Sequence, residues 1–270
     1  MSADSQMSRF SAIVLAADRA PGDAVAAAAG VASKCLAPVA GTPMVIRVLD
    51  ALAAADQVGE CVLCGPPWPI VEGDAGLLDR LDRPGIRWVT NASTPSASTS
   101  AVLDSMPPDG PVLVTTADHA LLSPEMVDHF CRSARETGLD LLAALATHET
   151  IMAAYPGMRR TVTRLKDGAY CSCNLFAFMT PRARAAADFW RRVESQRKKP
   201  LRVVGVLGVV VLLRYLLGLL TLDEALSRIS RRLEMDIGVV KMPFANAAVD
   251  VDTAADWKVV EDIAAGKYAP

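Results

Sequence analysis

Apolar residues in the first half of the chain fall into short runs that alternate with longer amphipathic stretches. The short runs are rich in β-branched residues, which predicts buried strands, and the stretches between them place apolar residues at helical spacing. Strands are predicted at 11–17, 59–65, 86–90, 111–116 and 140–146, and helices near 43–55, 73–82, 98–106 and 123–137. This alternation predicts a mostly parallel sheet covered by helices on both faces, the three-layer α/β/α arrangement of a Rossmann-like fold.

The second half of the chain is less regular and is predicted to carry an insertion. The pattern predicts a strand at Tyr170–Phe178, an amphipathic helix at 181–198, a helical insertion at 201–235, strands at 237–242 and 247–251, and a closing helix at Asp252–Ala265. The sequence has no internal repeat and no linker rich in Pro, Gly or Ser. We therefore expect a single domain over residues 1–270, with residues 199–235 as its candidate subdomain.

Composition excludes several classes of protein. The chain has 270 residues, of which 51% are hydrophobic, and its net charge of −2 gives no excess of positive charge for binding nucleic acid. Its six cysteines are best explained as buried apolar residues in a reducing compartment. Cys61 and Cys64 have the spacing that points to opposite faces of a strand, and Cys171 and Cys173 lack a second pair, so a zinc or redox site is disfavoured.

Residues 203–222 are apolar and long enough to cross a membrane, and they follow a short basic cluster. Three glycines interrupt this stretch, and Arg214 inside a bilayer would cost about 3 kcal/mol. We therefore expect a buried or partner-facing helical hairpin and no transmembrane span, with peripheral membrane contact and a homodimer surface as open alternatives. The N-terminal residues lack the apolar core of a signal peptide, so a cytoplasmic location is expected.

The opening of the chain has the arrangement of a nucleotide site. An apolar run at Ser11–Ala17 gives way to a loop of small residues, Asp18–Ser33, and Lys34 follows the loop directly. A buried strand with such a loop can bring backbone N–H groups and one cation against a triphosphate.

Acidic residues follow two later predicted strands. Asp118 lies at the carboxyl end of the strand at 111–116, at the edge where open α/β proteins bind ligands, and it is equally explained as a Mg²⁺ ligand or as a turn-capping residue. Asp250 and Asp252 have strand spacing, and one of them can cap the following helix. A Mg²⁺ ion bound to phosphates needs only one or two carboxylates, so the sequence leaves open which of the two coordinates it. We assign His119 no role in proton transfer.

These motifs together resemble the nucleotidyltransferases that include the sugar-phosphate nucleotidylyltransferases and the MobA-like enzymes. That family has Leu-Ala-Ala-Gly after its first strand, then Lys-x-Leu-x-Pro-x-x-Gly-x-Pro-Met, a mid-chain acid, and a late sequence such as Asp-Val-Asp-Thr-Pro-Glu-Asp. This chain has Leu15–Ala17, Lys34–Met44, Thr116–Asp118 and Asp250–Thr253 at the matching places. The resemblance covers residues 11–180 and 237–262, and it implies the fold of the nucleotide-diphospho-sugar transferases.

The resemblance also implies a reaction and a set of site residues. The reaction is a Mg²⁺-dependent transfer of a nucleoside monophosphate from a nucleoside triphosphate to a phosphorylated small-molecule acceptor, with release of pyrophosphate. By position, Lys34, Asp118 and Asp250 would be catalytic, and Asp118 with Asp250 or Asp252 would hold the metal. The nucleotide would contact Lys34. It would also contact six other residues, namely Leu15, Ala16, Ala17, Arg19, Ser98 and Ser100. Helix capping is an equal alternative for the two serines.

The first loop departs from the family pattern. The family has a glycine-rich sequence there, whereas this chain has Asp18–Asp23 followed by an alanine-rich stretch. Fewer glycines predict a stiffer loop, and two added acids place negative charge near an anion site. A non-catalytic nucleotide-binding or membrane-surface protein is therefore the second hypothesis, although the retained acids and Lys34 favour the enzyme. The apolar insertion at 199–235 falls where such enzymes build their acceptor pocket, which indicates a partly apolar acceptor or a dimer surface.

Overall fold

The computed structural model describes residues 8–18, 22–196 and 209–268, and its centre is a mixed β-sheet. The strands are β1 (Phe10–Leu15), β2 (Pro38–Val39), β3 (Thr42–Pro43), β4 (Val58–Cys64), β5 (Ile86–Val89), β6 (Val112–Thr116), β7 (Leu141–Thr147), β8 (Thr163–Leu165), β9 (Gly168–Phe178) and β10 (Ile237–Lys241). The main sheet has the order β10-β7-β9-β6-β1-β4-β5, β8 pairs with β9, and β2 and β3 form a separate hairpin. The pairs β10–β7, β6–β1, β1–β4 and β4–β5 are parallel, whereas β9 runs antiparallel to β6, β7 and β8.

Helices cover both faces of this sheet. They are α1 (Ala24–Ala29), α2 (Met44–Ala54), α3 (Trp68–Glu72), α4 (Ala75–Leu81), α5 (Pro95–Asp104), α6 (Pro124–Thr137), α7 (His148–Ala154), α8 (Ala185–Gln196), α9 (Val209–Leu216), α10 (Leu222–Leu233) and α11 (Ala254–Ala264). Short 3-10 helices lie at Lys34–Leu36, Pro181–Arg184 and Ala245–Ala248.

Alternation along β1 divides the core into two layers. Phe10, Ala12 and Val14 pack with residues of α2 and α6 on one face, and Ile13 packs with residues of α5 and α8 on the other. Side chains of a strand point alternately to its two faces, so the strand is buried on both sides. The predicted α/β fold with a mostly parallel sheet and helices on both faces is therefore confirmed.

The cysteines have the arrangement that the strand pattern predicts. Cys61 packs in one layer of the core and Cys64 in the other, and all six cysteines are buried and free. Burial raises the pKa of the Cys61 thiol to about 12, because a thiolate would lose its hydration there. These side chains pack as small apolar residues.

Residues 247–251 and 24–29 are among the segments that differ from the predicted elements. The predicted strand at 247–251 is wrong: the chain forms a 3-10 helix at Ala245–Ala248 and then an irregular segment. Val249 and Val251 are buried, which gives the alternating pattern of a strand, but the segment packs against the end of β6 and not along a sheet edge. Helix α1 forms inside the stretch expected to be a loop, because the Asp23 carboxylate caps the backbone N–H groups of Val25 and Ala26.

The apolar insertion is described from Val209 onward, and residues 203–208 of the stretch considered as a membrane span lie outside the described residues. Helices α9 and α10 are joined by a turn at Gly218, and Arg214 pairs with Glu224 at 2.8 Å across that turn. Several apolar side chains of this segment are exposed: Val210, Leu213, Tyr215, Leu216, Leu217 and Leu219. None of the helices in the described part of the chain has the length and apolarity needed to cross a membrane.

Candidate functional site

A cleft of about 190 Å³ opens at the carboxyl ends of β1 and β6. These strands are parallel with Leu15 opposite Thr116, and the backbone N–H of Ala117 donates to the carbonyl of Leu15 at 2.9 Å. The two chain segments therefore leave the sheet side by side. The following residues line the cleft: Leu15, Ala16, Ala17, Asp18, Asp23, Lys34, Cys35, Pro95, Thr116, Ala117, Asp118 and Asp252.

Lys34 lines this cleft. Its Nζ is 2.6 Å from Oδ2 of Asp118 and 3.9 Å from Oδ1 of Asp252. Its neighbours Ser33 and Cys35 are buried, and its backbone N–H donates to the Asp18 carboxylate at 3.1 Å. The main chain at Lys34 is thus fixed on both sides, which directs the ammonium group toward the two carboxylates.

Asp118 is positioned by both its side chain and its backbone. The hydroxyl of Thr116 donates to Oδ1 of Asp118 at 2.6 Å, while Oδ2 contacts Lys34. The backbone N–H of Val251 donates to the carbonyl of Asp118 at 3.1 Å. This last bond attaches the C-terminal segment to the end of β6 and brings Asp252 to the cleft.

The two late carboxylates, Asp250 and Asp252, have different surroundings. Asp252 faces Lys34 and its side chain is 54% exposed. The Asp250 side chain is largely buried, contacts the Arg160 guanidinium, and accepts a bond from the Asn174 amide at 2.7 Å. Asp250 does not line the cleft among the described residues. Asp252 therefore faces the cleft, whereas Asp250 faces the Arg160 guanidinium.

The first loop brings further negative charge to the cleft. Burial raises the pKa of Asp18, and the charge of Asp23 raises it further, whereas hydrogen bonds from Ser33 and from the backbone of Lys34 oppose this shift. A second groove of about 560 Å³ shares Ala17, Asp18 and Asp23 with the cleft, and it extends to Pro67, Ile70 and Asn91. Arg19, to which the family resemblance gives a nucleotide contact, lies outside the described residues.

Of the other residues expected to contact the nucleotide, some line the cleft and some do not. Leu15, Ala16 and Ala17 line the cleft. Ser98 is buried, and its hydroxyl accepts a bond from the backbone N–H of Ala92 at 2.9 Å, so it holds the loop before α5. The Ser100 hydroxyl is 3.5 Å from Oδ1 of Asp188 on α8. Neither serine lines the cleft.

Sequence reasoning missed Arg160 and Asn174, which contact Asp250. Arg160 lies in a segment without a motif, and nothing in its surroundings along the chain marks its partner 90 positions away. Asn174 lies within β9, where an asparagine between apolar residues was the available signal.

His119 is buried beside Asp118, and it is 1% exposed. Burial lowers the pKa of this imidazole to about 4, although the charge of Asp118 and the backbone of Asn246 favour the protonated form. The ring is therefore neutral at physiological pH.

The carboxylates of the cleft fit a magnesium ion bound with phosphates. Among the described residues no group of three or more His, Cys, Asp or Glu side chains is arranged to hold a metal by itself. Mg²⁺ usually takes one or two carboxylates, and substrate phosphates and water supply its other ligands. Asp118 and Asp252, both within 4 Å of the same ammonium, provide this donor set.

Comparison with known proteins identifies the family of this chain. The family described as the MobA-like NTP transferase domain matches residues 12–231. A hypothetical transferase from Thermus thermophilus is 32% identical, with a TM-score of 0.76, over 92% of this chain and 99% of that chain. Among proteins with curated functions, none shows significant sequence similarity to this chain.

More distant structures share the fold. The 4-diphosphocytidyl-2C-methyl-D-erythritol synthase from Anaerococcus prevotii is 15% identical, with a TM-score of 0.55, over 95% of this chain and 96% of that chain. A CMP:2-keto-3-deoxy-manno-octonic acid synthetase complexed with CTP is 12% identical, with a TM-score of 0.57, over 96% of this chain and 99% of that chain. Since the family match spans most of the sequence, the chain belongs to the MobA-like NTP transferase family and is a nucleotidyltransferase enzyme.

Proposed function

We propose that the protein transfers a nucleoside monophosphate to a phosphorylated small-molecule acceptor in a Mg²⁺-dependent reaction. An oxygen of the acceptor phosphate forms a bond to the α-phosphorus of a nucleoside triphosphate. The bond from that phosphorus to the α–β bridging oxygen breaks, and pyrophosphate leaves with the electron pair. Such a reaction depends on positioning and on neutralising negative charge.

The observation that carries this proposal is the convergence of Asp118 and Asp252 on Lys34 Nζ, at 2.6 and 3.9 Å. Asp118 and Asp252 would hold Mg²⁺, which supplies charge neutralisation to the phosphoryl oxygens when it is bound. Lys34 would turn from Asp118 to the triphosphate and neutralise one of its oxygens. Asp250, engaged by Arg160 and Asn174, orients the segment that carries Asp252.

The nucleoside would occupy the second groove. This groove meets the cleft at Ala17, Asp18 and Asp23, so a nucleotide lying in both would place its phosphates near Lys34 and its base toward Pro67 and Asn91. The small side chains of α1 face the groove at Ala26 and Ala27, which leaves room for a ring system.

The acceptor and cellular setting are proposed from other parts of the molecule. The exposed apolar side chains of α9 and its turn support a partly apolar acceptor, a second copy of the chain or a peripheral membrane contact on that side. Six free buried thiols support a cytoplasmic location, because disulfides are rare in reducing compartments.

Nucleotide binding and turnover test the proposal separately. Thermal shifts with each of the four ribonucleoside triphosphates, with and without Mg²⁺, report binding without an acceptor. Pyrophosphate release is then measured with a panel of sugar and polyol phosphates. We expect Asp118→Asn to abolish turnover while the protein stays folded, because Asp118 lies at a strand end outside the apolar core.

Asp128→Asn is a matched control, since Asp128 is also largely buried but lies on α6 outside the cleft. It should leave turnover unchanged. Retained turnover in Asp118→Asn would remove Asp118 from the mechanism. Nucleotide binding that is indifferent to Mg²⁺, without pyrophosphate release, would favour the non-catalytic nucleotide-binding protein.

A further inference from the structure

Strand β9 contains an irregularity next to the candidate site. Asn174 has φ of +50°, a left-handed conformation that costs energy for residues other than glycine. The register of the β9–β7 pairing shifts at this point: Ala143 pairs with Phe176, and Leu145 pairs with Ser172. Strand β9 therefore has two more residues than β7 between these two pairs. Bulges of this kind redirect a side chain, and backbone strain in a folded protein is a reason to look for a function.

The bulge directs the Asn174 side chain to Asp250. The Asn174 amide donates to Oδ2 of Asp250 at 2.7 Å, and the Arg160 guanidinium contacts Oδ1. A second nitrogen of Arg160 donates to the backbone carbonyl of Asp250 at 3.2 Å. Both carboxylate oxygens and the carbonyl of Asp250 are thus engaged from one side.

This contact matters because the segment around Asp250 has no strand pairing to hold it. Residues 249–252 lie between a 3-10 helix and the start of α11, and they form no regular element. Val251 is fixed by its bond to the Asp118 carbonyl, and Thr253 is fixed by a capping box with Asp256. The side-chain contacts of Asp250 add a further restraint on the main chain that carries Asp252, beside the burial of Val249 and Val251.

We propose that Asn174 is a positioning residue, which acts through Asp250 to keep Asp252 facing Asp118 and Lys34. This inference rests on the proposed function, because it concerns the carboxylate that we assign to Mg²⁺. Outer residues that orient a metal ligand commonly change metal affinity by about tenfold to a hundredfold when they are replaced.

Two substitutions separate the amide from the backbone conformation. Asn174→Gly keeps the left-handed conformation and removes the amide, since glycine adopts positive φ readily. Asn174→Asp keeps the size of the side chain but replaces the donor by a carboxylate that repels Asp250. Glu234→Gly is the matched control, because Glu234 also has positive φ, at +53°, and it is exposed at the end of α10 away from the cleft.

The readout is the binding of Mn²⁺, followed by electron paramagnetic resonance in the presence of each of the four ribonucleoside triphosphates. With the triphosphate that the unmodified protein binds best, both Asn174 variants should need about tenfold to a hundredfold more Mn²⁺, with the larger effect in Asn174→Asp. The Mg²⁺ concentration for half-maximal pyrophosphate release should rise in parallel. Glu234→Gly should change neither quantity.

The outcomes distinguish this inference from the function on which it rests. If the unmodified protein binds Mn²⁺ with nucleotide and both Asn174 variants bind it equally well, the positioning role is wrong and the transferase proposal stands. If both variants fail to fold, Asn174 is a residue of stability and the positioning role is also wrong. If the unmodified protein shows neither metal-dependent nucleotide binding nor pyrophosphate release, the proposed function fails and this inference fails with it.

Discussion

The ion pair between Lys34 and Asp118 makes a quantitative prediction about stability. Their side chains are 15% and 17% exposed, and Lys34→Met keeps the apolar stem while leaving Asp118 with the Thr116 hydroxyl as its remaining side-chain partner. Removing one member of a buried ion pair costs about 3–5 kcal/mol. Because Asp118 keeps that hydrogen bond and some contact with water, we expect a loss of about 2 kcal/mol. In a protein of this size this loss lowers Tm by about 4–8 °C.

A double variant tests the electrostatic origin of this loss. The double variant Lys34→Met with Asp118→Asn removes both charges. Its Tm should therefore be close to that of the unmodified protein, while its triphosphate binding stays weak. Thermal denaturation and nucleotide titration on the same preparations measure both effects. A single variant as stable as the unmodified protein would refute the energetic reasoning, and unchanged triphosphate affinity would remove Lys34 from the nucleotide site.

Three further substitutions are predicted from burial and charge. Asp252→Asn should change the free energy of unfolding by less than about 0.5 kcal/mol, because the Asp252 side chain is 54% exposed. The same variant should lower the rate of pyrophosphate release at least about tenfold. A normal rate would exclude Asp252 as a metal ligand. Because burial raises the pKa of Asp18, ionising this carboxyl costs more free energy in the folded state than in the unfolded chain. Asp18→Asn should therefore gain stability relative to the unmodified protein as the pH rises from about 4 to 7. A stability difference that stays constant in denaturation measurements across this pH range would refute the prediction. The pKa of His119 is about 4 in the folded state, so the unfolded chain takes up a proton between about pH 6.5 and 4 that the folded protein does not, and about 3 kcal/mol of stability is lost on acidification. His119→Gln should lose this part of the acid sensitivity, and an unchanged pH dependence of unfolding would disprove the assignment.

The sheet and the first two motifs were predictable from sequence because they depend on local patterns. Strands β1 and β6 are apolar runs, and parallel neighbours bring their carboxyl ends to one edge, which accounts for the meeting of Lys34 and Asp118. Helix α1 could also have been found: Asp23 at its N-cap, an alanine run and Gly30 at its end are ordinary helix signals.

The arrangement around Asp250 depends on tertiary contacts that a local pattern does not contain. Val249 and Val251 are buried because they pack against the end of β6. Their alternation with polar residues resembles that of a strand, although this segment pairs with no strand in the described part of the chain. Asp252 faces the cleft, whereas Asp250 contacts Arg160 and Asn174, which lie 90 and 76 positions away along the chain. Two residues that are two positions apart in an irregular segment have no fixed relative direction, so the sequence alone does not distinguish the orientations of Asp250 and Asp252.

The contact of Lys34 with both acids has a consequence for the order of addition of substrates. In the resting protein the ammonium serves as an internal counter-ion, which lowers the attraction of the two carboxylates for a free divalent cation. Under the proposed function, a triphosphate would offer Lys34 a replacement partner, and the carboxylates would then lose their counter-ion while an anion arrives. Lys34 would thereby couple the binding of the nucleotide to the binding of the cation, so the protein should select the cation–nucleotide complex over either component alone.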